Sequence, residues 1–97
     1  MLKIELVPDL SHCIETVAKR EYREATAKLL AVPKENNELE QRTELLRTFL
    51  EAIDFRKLRQ ESEKYLVEGR TVKFIFYLEN GAPKYEMIVT QADSQKL

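Results

Sequence analysis

Asn80-Gly81 constrains this chain more than any other feature, because the residues around it pair off only one way. Both central positions of a type I′ turn need positive φ, and Asn-Gly supplies that at a two-residue hairpin loop. With those two residues in the turn, Leu78 faces Pro83, Phe76 faces Tyr85, Phe74 faces Met87 and Val72 faces Val89. All eight are apolar and share one face, since side chains alternate along a strand. The opposite face sets Tyr77 with Lys84, Ile75 with Glu86 and Lys73 with Ile88. A loop one residue longer would place Phe76 against Lys84 and Phe74 against Glu86, which the pattern forbids. The hairpin therefore runs from Thr71 to Thr90, with its aromatic face directed at a core.

A hairpin alone is not stable, so the chain must supply partners. Leu2 to Val7 alternates, with Leu2, Ile4 and Leu6 on one side and Lys3, Glu5 and Val7 on the other. That predicts a half-buried N-terminal strand ended by Pro8. Asp9 is placed to cap a helix over about Leu10–Leu30, on which Leu10, Ile14, Val17, Ala18, Tyr22, Ala25 and Leu29 form a stripe. Glu15–Lys19 and Glu24–Lys28 are spaced for ion pairs along it. Val32-Pro33 stops that helix, because the residue before a proline is pushed out of the helical region.

Asn37 and Glu40 make a capping-box-like start for a second helix, with Leu39, Leu46, Phe49, Leu50 and Ile53 as its stripe and Leu45 on the flank. After Ile53 the apolar phase jumps: Phe55, Leu58, Tyr65 and Leu66 centre on a different side of a continuous helix. Two readings are open. One is a break at Asp54, which then caps a third helix with Ile53 packing on Leu58. The other is a single long helix burying opposite faces in its two halves. Gly69 closes the helical region, since glycine takes the left-handed position after a helix without steric cost.

The expected architecture is α+β in the order β-α-α-(α)-β-β, with helices over one face of a three-stranded sheet. Pro83 cannot donate to a ladder, so its strand should lie at an edge, favouring the order 1-2-3. Residues 1–90 are expected to form one domain and 91–97 a mobile polar tail.

Composition narrows the function classes. The chain has 97 residues, 34% of them charged, with 17 acids against 16 bases. That balance argues against a protein built to grip nucleic acid or anionic membrane. One cysteine precludes an internal disulfide or a multi-cysteine zinc site and fits the reducing cytoplasm. No signal peptide or long apolar run is visible, so no membrane association is expected.

Chemistry-bearing residues are sparse. His12 and Cys13 are adjacent and, on a helix, point about 100° apart, so they do not face one another as base and nucleophile must. Glu35, Glu38, Glu40 and Glu44 lack an accompanying histidine and do not all point one way, so no metal site is expected. The two glycines, Gly69 and Gly81, serve as punctuation, and no phosphate-binding loop is present. No catalytic residue, cofactor site or metal site is assigned, and the chain reads as non-enzymatic.

Two surfaces carry more content. From Arg56 to Lys73 there are six bases (Arg56, Lys57, Arg59, Lys64, Arg70, Lys73) against three acids. Pairs such as Lys57–Glu61 and Arg59–Glu63 would make that an ordinary solvated helix; an exposed basic face would meet phosphates. The outer sheet face holds Ile75, Tyr77 and Ile88 among lysines and glutamates, which is either an ordinary exposed face or a mixture that suits protein contact. The leading expectation is therefore a protein-interaction domain that forms a homodimer, using Ile75, Tyr77 and Ile88. A weak nucleic-acid-binding module using Arg56, Lys57, Arg59, Lys73 and Tyr77 is the second. A ligand-binding protein or enzyme with a pocket between helices and sheet is the third.

Overall fold

The structure, a computed structural model, describes residues 2–31 and 37–90. Strand β1 (Ile4–Leu6) is followed by helices α1 (Ile14–Ala31), α2 (Asn37–Ala52) and α3 (Phe55–Val67), then by strands β2 (Val72–Glu79) and β3 (Ala82–Val89). The fold is α+β, with an antiparallel sheet in the order β1-β2-β3. The Val32-Pro33 stop and the tail from Gln91 lie outside the described residues.

The hairpin has the register its turn demands. Leu78 pairs with Pro83, Phe76 with Tyr85, Phe74 with Met87 and Val72 with Val89. Asn80 and Gly81 both take positive φ, 54° and 80°. Strand β1 joins the other side of β2, with Ile4 opposite Phe76 and Leu6 opposite Phe74. Ile4, Leu6, Val72, Phe74 and Phe76 are thereby set on one buried face.

The helices cover that face. Phe49 of α2 stacks on Phe76 with ring centroids 4.4 Å apart, and Phe55 of α3 meets the same ring edge-on at 6.3 Å. Ile14, Val17, Ala18 and Ala25 of α1, Leu45 and Leu46 of α2 and Leu58 of α3 complete the core. Leu45, expected on the flank of its helix, is buried. An Arg42–Glu21 ion pair at 3.0 Å ties α2 to α1.

The phase jump after Ile53 is a helix break. Asp54 is extended, and its carboxylate accepts a hydrogen bond from the Lys57 amide, capping α3. The helical phase restarts there, and Phe49 of α2 and Phe55 and Leu58 of α3 all lie in the same core. Gly69, at φ 86°, ends α3: its amide donates to Leu66 O and the Arg70 amide to Tyr65 O. That is the paired-bond pattern of a left-handed helix stop.

The start of α1 differs from expectation. The Asp9 carboxylate accepts from the Ser11 and His12 amides at 2.8 and 2.7 Å, which closes a tight turn instead of capping the helix. The helix begins only at Ile14, and Cys13 occupies the cap, its carbonyl accepting from the Val17 amide. Leu10, placed in the stripe by periodicity, lies before the helix and is 66% exposed. Of the ion pairs expected along the helices, Glu15–Lys19 forms at 3.3 Å. Glu24–Lys28, Lys57–Glu61 and Arg59–Glu63 do not form among the described residues.

Candidate interaction surface

Because all three helices pack on one face, the other face of the sheet is bare among the described residues. Its residues fall into cross-strand rows that follow from the two registers. Glu5, Ile75 and Glu86 form the middle row. Lys73 and Ile88 lie to one side of it, and Tyr77 with Lys84 to the other. Ile75 and Tyr77 are half-buried by their neighbours, and Ile88 is 44% exposed. Val7, just beyond β1 on the same side by alternation, is 49% exposed.

Charges are held in place around these apolar side chains. Lys73 Nζ lies 3.4 Å from Glu5 Oε1, and Lys3 Nζ sits 5.4 Å from the centre of the Tyr77 ring. Desolvation, followed by the nearby Glu86 and Glu79 carboxylates, pushes the Tyr77 phenol up from its ordinary value. The face is thus a patch of aliphatic and aromatic surface interleaved with acids and bases. Such a patch favours a partner with matching charges over a purely apolar one.

The structure divides the residues expected to bind nucleic acid. Arg56, Lys57 and Arg59 are exposed on α3, in the helical layer. Lys73 and Tyr77 lie on the bare face of the sheet, on the far side of the core. The five residues therefore lie on two faces of the domain. Arg70, also in the basic segment, instead lies 5.2 Å from the Tyr65 ring centre and donates to Thr90 O at 2.8 Å.

His12 and Cys13 have separate partners. His12 Nδ1 lies 3.4 Å from Asp9 Oδ1, whereas Cys13 Sγ lies 3.4 Å from Thr16 Oγ1. The Thr16 hydroxyl holds the Cys13 thiol below its usual value, assisted by the Thr16 and Glu15 amides and by the Arg59 charge. These groups border a polar hollow of about 150 Å³ between the start of α1 and α3, with Ser62 and Glu63 on its far wall. Sequence reading missed this arrangement. The signal was Cys13 three residues before Thr16 at the front of an apolar period, the spacing of a helix cap and its third residue.

A second hollow of about 270 Å³ lies at the turn end of the sheet, between Leu2, Leu78 and the Leu45–Thr48 side of α2. It is apolar and smaller than the cavities that enclose drug-sized ligands. Between helices and sheet the core is filled: Phe49, Phe74, Phe76, Ile4, Ile14 and Leu46 are each less than 2% exposed. Among the described residues no three His, Cys, Asp or Glu side chains converge to hold a metal ion. No helix among them is long and apolar enough to cross a membrane.

A protein-family model matches residues 2–90. The chain belongs to that family. The match spans every strand and helix described above, and the family is one of unknown function. No curated protein and no solved structure matches the chain.

Proposed function

We propose that this chain is a non-enzymatic protein-contact domain that self-associates, with the bare face of the sheet as its working surface. One observation carries the reading. All three helices sit on one side, and no described element covers Ile75, Tyr77 and Ile88 on the other. Large apolar side chains grouped on an uncovered sheet face, ringed by ordered charges, have the composition of a protein interface. A domain this small also gains stability by covering such a face. The proposal sets the protein in the cytoplasm, where a lone cysteine stays reduced. The reading is supported over its alternatives by the placement of Arg56, Lys57 and Arg59 in the helical layer, away from Lys73 and Tyr77, and by the deep burial of the side chains between helices and sheet.

The test is sedimentation of the wild type and Ile75→Lys over micromolar concentrations. The wild type is expected to associate. Ile75→Lys is expected to stay folded and to associate more weakly, because an unpaired charge is costly inside an interface and nearly free on an exposed sheet. A wild type that stays monomeric, or a variant that associates as the wild type does, would count against the face.

A further inference from the structure

Among the described residues the sheet has a second unpartnered feature, the outer edge of β3. A two-residue turn makes Glu79 and Ala82 a hydrogen-bonded pair, and in an antiparallel ladder every second pair repeats it. The Thr90 amide donates to Thr71 O at 3.0 Å in that same phase. Lys84, Glu86 and Ile88 therefore turn their backbone groups toward β2. Pro83, Tyr85, Met87 and Val89 turn theirs away, and β3 is the last strand of its sheet. An eight-residue strand is a long edge to leave open. Natural sheets shorten, bulge or cover such an edge, or set Pro and Lys on it as β3 does with Pro83 and Lys84.

We propose that β3 pairs antiparallel with β3 of a second copy, about a two-fold axis passing through Tyr85, so that the two sheets become one. This rests on the self-association proposed above and adds a contact separate from the bare face. Edge-facing residues must meet edge-facing residues, and β3 spans 82–89. The registers of greatest overlap are therefore two, one centred on Tyr85 and one centred on Glu86. Centring on Glu86 sets that carboxylate against its own copy, and like charges directly opposite are destabilising. Centring on Tyr85 sets Lys84 against Glu86 of the second copy, twice over by symmetry. Lys84 and Glu86 are both exposed, and neither is in an ion pair among the described residues. Centring on Met87 shortens the overlap to 85–89 and leaves the charges unmatched. Only the Tyr85 register gives both long overlap and opposed charges.

That register also suits Pro83. It falls opposite Met87 of the second copy, whose amide donates to the Pro83 carbonyl, while the missing proline N–H leaves one gap at each of the two symmetric pairs. Tyr85 meets Tyr85 on the helix side, and both rings, half-buried in the single chain, become covered. The occupant is therefore a second copy of this chain, selected by its own charge pattern.

The charge pattern makes a direct test. Lys84→Glu and Glu86→Lys are surface changes that should leave circular dichroism and melting close to wild type. Each alone puts like charges opposite at both symmetric positions, and dimerisation measured by sedimentation should weaken by about tenfold or more. Mixing the two variants in equal amounts restores opposed charges at both positions, and a mixed dimer should form with near wild-type affinity. In hydrogen exchange, the Tyr85 and Met87 amides of the wild type should become protected as concentration rises. Ile75→Asn strips the bare face without adding a charge beside Glu86; association through that face should weaken, while the Tyr85 and Met87 amides should still become protected as concentration rises. Single variants that dimerise like wild type, a mixture that stays monomeric, or edge amides that exchange freely at every concentration would each overturn edge pairing. Loss of association in Ile75→Asn alone, with both charge variants unaffected, would overturn the edge and leave the face as the contact. A monomeric wild type would overturn both.

Discussion

Strands β2 and β3 have the same length and the same alternation and are joined by one turn, yet they end at different depths. Val72, Phe74 and Phe76 of β2 are 0% exposed. Their cross-strand partners Val89, Met87 and Tyr85 remain half-buried. Register transmits which face a residue lies on; it does not transmit how deeply. Depth comes from the second neighbour and from the helices. Strand β2 is flanked by β1 and lies under Phe49 and Phe55, whereas among the described residues β3 has a partner strand on one side only. From the helical layer Tyr85 gains a hydrogen bond from its hydroxyl to Glu61 Oε1 at 3.3 Å. The central strand thus stabilises the domain, and the edge strand and the outer face are left available for contact.

That contrast is open to mutation. The largest effect is expected at Phe76, where replacement by alanine removes a ring that contacts Phe49, Phe55 and Phe74. Phe76→Ala should cost about 3–5 kcal/mol in chemical denaturation. Met87→Ala, on the same face of β3, should cost about 1–2 kcal/mol, because much of the side chain already meets water. Equal losses at the two sites would mean that β3 is as central to stability as β2.

The turn that joins the strands comes next. A Cβ at Gly81 would meet nothing within 4 Å, so space is not the constraint there; φ of 80° is. Gly81→Val should destabilise by about 1–3 kcal/mol. Gly81→Asn should cost less, since asparagine tolerates positive φ. If the two variants melt together with the wild type, the turn does not hold β3 on β2.

The smallest effect is expected at the Tyr85 hydroxyl. Tyr85→Phe should lose about 1 kcal/mol or less, the worth of one partly exposed hydrogen bond. Burial first, and then the Glu61 carboxylate, raise the Tyr85 phenol above its ordinary value. A raised phenol favours the protonated, folded form, so its contribution is present below the unfolded pKa near 10 and is lost as pH rises through the folded value. Tyr85→Phe should therefore flatten stability above about pH 10 relative to wild type. An unchanged alkaline slope would detach β3 from α3.

The hairpin was legible residue by residue because its turn chemistry and its alternation are both local. The phase jump after Ile53 was legible because a helical stripe keeps phase and this one does not. The jump fits a long helix burying two faces as well as a break, and the Asp54 cap decides between them. Asp9 misled because the same carboxylate that caps a helix also closes a tight turn, and periodicity alone placed Leu10 with Ile14. The Arg42–Glu21 pair between helices and the Tyr85–Glu61 bond between layers follow from tertiary packing, which no period encodes. The candidate surface was half visible. Ile75, Tyr77 and Ile88 could be assigned to one face, but the separation of that face from Arg56, Lys57 and Arg59 emerged only when α3 was seen in the opposite layer. The exposed edge of β3 followed from strand order, and its charge pattern acquired meaning once the edge was open.

The central claim is that this domain meets its partner through the sheet and not through the helices. Amide chemical shifts followed across a dilution series report it directly. The account predicts that concentration-dependent shifts gather on β2 and β3, around Ile75, Tyr77, Tyr85 and Ile88, while α3 stays constant. Shifts gathered on Arg56, Lys57 and Arg59, with the sheet unchanged, would contradict it.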